Sequence, residues 1–362
     1  MQFRVRVPII LGLLMACCHS SANAQINSGS FYHGEPVLEP YYNADRFTTG
    51  SYQDAGPAWL GQASFDVLLF DRADADSRAI ANRWTTVDLG PPTGVVDVLG
   101  DEVANATDLG FPVTAGFRFN LVLLGDDGCD LVFNYLGSRF ESSRTFDGAT
   151  IGYPFFEFET EPENGAMYKT SYESTLNSVE LNSRIRRWSR LTPFAGVRFI
   201  QLEDKLTQSL ADNSAYLDRT TTDNELWGFQ LGAEALLLDA GRARLQATVK
   251  GGVFYNNLEL STSGSDFVLA RDPVTMEPTS TYTPDESFST EHVSYFGEVN
   301  LEFTHRIGPS WAVRVGYAAM WLDGVALAPD QNDNFNLMSG FGTFNYGTVL
   351  YHGSYVGIEA TW

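Results

Sequence analysis

The stretch Trp311-Ala312-Val313-Arg314-Val315-Gly316-Tyr317-Ala318-Ala319-Met320-Trp321-Leu322 puts Trp311, Val313, Val315, Tyr317, Ala319 and Trp321 on one parity and Arg314 and Gly316 on the other. Successive side chains of a strand point to opposite sides, so this is a strand with one apolar face and one polar or small face. It is longer than the roughly five or six residues of an ordinary globular strand. Its two tryptophans stand ten residues apart. At about 3.3 Å per residue and a tilt near 45°, that spacing is roughly 24 Å along a bilayer normal, the height of an apolar membrane band.

Nine further runs share this alternation: Trp59 to Asp71, Val113 to Leu124, Leu131 to Arg144, Tyr168 to Arg186, Thr192 to Leu202, Leu226 to Leu238, Ala243 to Tyr255, Glu291 to Arg306 and Thr348 to Trp362. Long segments follow Asp71, Arg144, Leu202, Tyr255 and Leu322, whereas the turns at Gly125–Asp130, Arg187–Leu191, Asp239–Arg242 and Ile307–Ser310 are short. Connections sorted by length in this way predict an antiparallel transmembrane β-barrel, all-β, with short periplasmic turns and long extracellular loops. In hydrocarbon every backbone polar group needs an internal partner, which a closed barrel supplies through its ladders. Trp84 to Leu89 and Ile151 to Phe158 also have β character, so the expected strand number is ten or twelve. A β-sandwich that buries the apolar parity, as in a secreted adhesin, is the competing architecture.

Aromatic residues recur at two levels. Trp59, Trp311 and Trp362 fall at the short-turn level and Trp227 and Trp321 at the long-loop level, the places expected of an aromatic girdle. The last strand sets Val356, Ile358, Ala360 and Trp362 on one face. Bacterial outer-membrane barrels commonly end this way, usually in Phe, as the sorting signal for their insertion machinery, and Trp362 is a variant of it.

Ahead of the barrel, residues 1–24 have the form of a signal peptide. Arg4 and Arg6 are followed by an apolar stretch, Val7 to Ala16, and by Ala22-Asn23-Ala24. Leu14-Met15-Ala16-Cys17 loosely resembles a lipoprotein box, with Met15 a poor fit. No later run reaches the roughly 18 apolar residues of a spanning helix, which excludes a helical membrane protein. Residues 25–56 lack alternation and are expected to form an extension or plug, with the barrel at 57–362. Cleavage after Ala24 removes two arginines and no acid, taking the net charge from −22 to −24. Such a charge repels a phosphate backbone, so nucleic acid is excluded as a partner.

Placing the polar parity of each strand inside gives the acids Asp66, Glu180, Glu234, Glu298, Glu302 and Glu359, and the bases Arg118, Arg184, Arg198, Arg244, Lys250 and Arg314. The balance predicts a narrow lumen bridged by paired side chains rather than a ring of one sign. The surplus acids then belong to loops, among them Glu157, Glu159, Glu161 and Glu163. No metal or cofactor site is expected. After leader removal Cys129 is the one cysteine, and Asp330-Gln331-Asn332-Asp333-Asn334 lacks the glycine and distant glutamate of a calcium loop.

The segment Leu176 to Tyr255 resembles the β-barrel porin family best known from planctomycete outer membranes. The resemblance is carried by Val179-Glu180-Leu181-Asn182 with Arg184, Arg186 and Arg187, by Phe194-Ala195-Gly196-Val197-Arg198-Phe199 and Leu202-Glu203-Asp204, and by Asp223-Asn224-Glu225-Leu226-Trp227-Gly228 with Gln230-Leu231-Gly232. It implies an outer-membrane barrel of porin type, with membrane lipid, the insertion machinery and small solutes or ions as partners. Two alternatives stand beside the narrow porin. One is a structural barrel without transport. The other is an outer-membrane hydrolase using His292 and His352, both near the long-loop end of their strands. No Gly-x-Ser-x-Gly or His-Glu-x-x-His occurs, and no catalytic residue is expected.

Overall fold

The computed structural model describes residues 60–73, 79–88, 95–125, 128–147, 151–152, 167–185, 190–210, 216–264, 267–271, 278–282, 285–331, 335–336, 341–342 and 344–362. Ten antiparallel strands close into a barrel. They are β1 (Leu60–Arg72), β2 (Thr114–Leu124), β3 (Cys129–Asp147), β4 (Met167–Ile185), β5 (Leu191–Leu210), β6 (Tyr216–Asp239), β7 (Ala243–Gly264), β8 (Asp285–Arg306), β9 (Trp311–Val325) and β10 (Gly347–Thr361). Each pairs with its neighbours in sequence, and β1 pairs with β10 to complete the ring. Closure leaves no open sheet edge, the condition for strands to lie in lipid. The ranges 1–24 and 25–56, and Trp59, lie outside the described residues.

The short turns carry their own local logic. Between β6 and β7 the Asp239 carboxylate accepts from the Gly241 N–H at 3.0 Å, and Gly241 takes φ +75°, a left-handed conformation that glycine adopts without a Cβ clash. The alternation becomes a two-sided wall. Val249 and Val299 on the outer parity are each 54% exposed, while Leu226 and Leu322 on the inner parity are fully buried. An apolar residue turned outward all round a closed ring faces lipid.

The extra β segments do not enter the wall, so the barrel has ten strands and not twelve. Ala79–Asp88, Val95–Asn105 and Ile151–Gly152 form a separate three-stranded sheet. Strands β5 to β8 run further than their apolar alternation. Strands β3 to β8 have 19 to 24 residues against 11 to 15 for the other four. Beyond the apolar band their outer parity turns polar, with Glu173 opposite Lys205, Glu203 opposite Asp223 and Asp223 opposite Glu259. One side of the barrel therefore projects past the membrane as a polar wall.

Candidate functional site in the barrel lumen

The lumen has two layers, and register builds the lower one. Strand pairing sets opposite charges directly across from each other: Asp66 and Arg118, Glu180 and Arg198, Lys250 and Glu298, Asp130 and Arg184. Asp66 takes Arg118 at 2.8 Å and lies 3.7 Å from Arg314, which also binds Glu302 and sits 3.8 Å from Glu359. The Tyr355 hydroxyl donates to Glu302 at 2.9 Å, and its ring lies under the Arg118 guanidinium at 4.1 Å. Gly316 leaves room for that ring, since a Cβ there would come within 2.3 Å of it.

A second group surrounds Glu180. Lys250 bridges Glu180 at 2.7 Å and Glu298 at 3.1 Å, Arg198 holds Glu298 at 2.9 Å, and Gln230 donates to Glu180. A third joins Arg184 to Asp130 and Glu234, both at 3.0 Å. Buried ions are costly unless paired and hydrogen-bonded, and these are both. Arg244 lies at the mouth, 3.7 Å from Asp239. Of the twelve charged residues assigned inward from the sequence, Asp66, Arg118, Glu180, Arg184, Arg198 and Arg314 are buried, and Glu234, Arg244, Lys250, Glu298, Glu302 and Glu359 line the cavity; Asp130, Asp204 and Arg72 are buried beside them. Those three lie next to a turn or beyond the apolar alternation, although each continues the inward parity of its strand.

Between these groups runs a polar cavity of about 130 Å³, reaching from Gln62, Arg242 and Arg306 at the short-turn end to Lys250 and Glu298. It stops beneath an apolar layer. Leu68, Phe140, Leu176, Ile200, Phe254 and Met320 from the wall are 0–2% exposed. Two segments of the long connections complete the layer. Residues Ala106, Leu109 and Phe111 enter from the first, and Ala326, Leu327 and Ala328 from the last. At the upper edge Arg72 donates to Asp204 and to Tyr172, each at 2.8 Å, with its guanidinium 5.0 Å from the Phe111 ring. This box ties the first loop segment to the wall by charge and cation–π attraction.

On the outer face Trp227, Trp311, Trp321 and Trp362 are 41–54% exposed. His292 and His352 do not meet. His292 points inward and stacks on Tyr346 at 3.8 Å, whereas His352 points outward and bonds the Tyr317 hydroxyl at 2.9 Å. Among the described residues no group of three or more His, Cys, Asp or Glu is placed to hold a metal. Gln331 of the acidic stretch instead binds backbone, donating to the carbonyls of Leu327 and Asn345.

Solved structures with a similar chain path include the outer-membrane protease OmpT from Escherichia coli, at 7% identity and TM-score 0.46, covering 86% of this chain and 100% of that chain. A FadL homologue from Pseudomonas aeruginosa gives 11% and 0.26 over 84% and 90%. The Pseudomonas putida toluene transporter TodX gives 10% and 0.24 over 88% and 93%. No curated protein matches the chain. Residues 63–339 match the family described as Putative beta barrel porin-7, and with most of its length inside that match the chain belongs to that family.

Proposed function

We propose that the protein is a narrow outer-membrane channel, exported by residues 1–24, with its short turns in the periplasm and its long loops outside. The observation that supports this reading is the polar cavity that enters from the short-turn end and ends beneath an apolar layer. Part of that layer belongs to loop segments rather than to the wall, so the obstruction is separable from the barrel. The paired charges leave no ring of one sign, and selectivity then comes from the acidic loops, as a weak cation preference damped by salt. The aromatic C-terminal strand suits delivery by the barrel insertion machinery, and small ions or solutes are the cargo.

Planar-bilayer recording of purified protein tests this. Small, intermittent, weakly cation-selective currents are expected. A large, steady, anion-selective current would overturn the reading. Complete silence from protein that still shows heat-modifiable gel mobility would leave the barrel a structural element of the membrane. That second reading draws support from how completely side chains fill the lumen.

A further inference from the structure

After Asp323, Gly324 takes φ +73°, and a Cβ there would stand 3.0 Å from the Val293 carbonyl oxygen. This left-handed residue makes a bulge one position before the end of β9, where Val325 still pairs with Gly347, and past it the chain turns into the barrel. Ala326, Leu327 and Ala328 then lie at 0–3% exposure inside the apolar layer. Backbone placed there carries polar groups that neither sheet nor water can satisfy, and each needs a partner.

The wall supplies those partners through one side chain above all. Asn224 of β6 donates from Nδ2 to the Ala326 carbonyl and accepts at Oδ1 from the Ala326 N–H, both at 2.8 Å. It reads both polar groups of a single residue, as a neighbouring strand would. The remaining amide capacity is also used, with Nδ2 donating to the Leu202 carbonyl at 3.2 Å and Oδ1 accepting from Asn256 at 3.1 Å. Asn256 donates further to the Gly324 carbonyl at 3.4 Å, and the Ser294 hydroxyl donates to the same oxygen at 2.7 Å. Asn224, Asn256 and Ser294 come from three adjacent strands, and all three are fully buried.

We propose that Asn224 is the latch that sets the permeability of the barrel, holding the 326–331 segment across the lumen as a gate. This rests on the channel reading above. An amide suits a latch. It matches a backbone N–H and C=O together, carries no charge to strand in an apolar layer, and can exchange its two bonds for water when the segment lifts. Aliphatic side chains alone would hold the segment without fixing its height. The segment's other leg is tied within the loop itself, where Asn345 donates from its backbone N–H to Gln331 at 3.1 Å and from its side chain to the Asp330 carbonyl at 2.9 Å. Among the described residues, Asn224 is thus the side chain of the wall that holds Ala326, while Asp330 and Gln331 are held by Asn345.

The test combines a position readout with a current readout. A Leu327→Cys reporter in a Cys129→Ser background is exposed to a membrane-impermeant maleimide outside intact cells, with and without Asn224→Ala. Ser294→Ala serves as a milder variant should Asn224→Ala fail to assemble. Loss of the two bonds should speed labelling by about tenfold or more. Single-channel openings should lengthen in parallel. Faster labelling with no current keeps the latch and overturns the channel reading. Unchanged labelling in both variants, with heat-modifiable barrels still present, overturns the latch, as does increased current without faster labelling.

Discussion

Trp362 and Gly61 exchange two backbone hydrogen bonds, each of 3.1 Å, and so close the barrel where the last strand meets the first. The indole lies over Gly61, where a Cβ would come within 2.3 Å of the ring. Trp362 thus pairs with the first strand through its backbone while its ring stays 54% exposed on the outer face.

Deleting Trp362 removes both seam bonds and one interfacial aromatic. A loss of about 1–3 kcal/mol is expected, from polar groups left unpaired beside lipid. Trp362→Phe keeps the backbone pair and should stay close to wild type. Urea unfolding in lipid vesicles, read by heat-modifiable mobility, checks the difference; equal behaviour of the two variants would mean that the seam does not depend on its last residue.

Val249 and Lys250 are adjacent and face opposite environments. Val249→Lys places a charge toward lipid and should cost about 2–4 kcal/mol near the midplane. Lys250→Met should cost a comparable amount for a different reason, since it leaves Glu180 and Glu298 sharing Arg198 alone. Adding Glu298→Gln to Lys250→Met should recover most of that loss, and no second change inside the lumen should rescue Val249→Lys. The same unfolding assay on the three variants decides this, and a neutral Lys250→Met would show that the pairing is not structural.

Asp223 lies on the polar wall beyond the apolar band, and its carboxyl is pushed up from 3.8 to about 6. Burial is the main cause, and Glu225, Glu203 and Glu259 add to it, against a bond from Gln201. An acid raised on folding is penalised when ionised. Its penalty is absent below about pH 4, grows as pH rises to about 6 and is complete above that. Melting temperature should therefore fall across this window, and Asp223→Asn should flatten the fall and raise the value at pH 7.5. A pH profile identical in the two proteins would refute the assignment.

Sidedness follows from loop length. A protease site inserted between residues 271 and 278 should be cut in intact cells, and one at Asp239–Arg242 only after the outer membrane is breached. The reverse pattern would invert the topology.

Much of the fold was legible because a barrel in lipid imposes period two on every strand, and Trp311 to Trp321 displays it without help from any other element. Alternation also separates lumen from lipid, so Asp66, Glu180 and Arg314 could be assigned inward before any register was known. The pattern fades where a strand leaves the membrane. There the outer face turns polar while the inner face mixes Leu206 and Tyr172 with Arg72 and Asp204, so the alternation that marks a run ends before those two charges although parity alone extends to them.

What tertiary structure alone decided is who meets whom across the ring. Nothing in the spacing of Asp66 and Arg118, or of Lys250 and Glu298, states that they are cross-strand neighbours; register does, and register depends on the turns and on closure. The segment that enters the lumen at Ala326 is the clearest case. Asn224 and Ala326 lie 102 residues apart, and the short apolar run Val325-Ala326-Leu327-Ala328 reads along the chain as an ordinary loop entrance. Only the closed ring brings three buried polar side chains to the place where that run's backbone needs partners, because the requirement to satisfy buried N–H and C=O groups acts on spatial neighbours and leaves no period in the sequence.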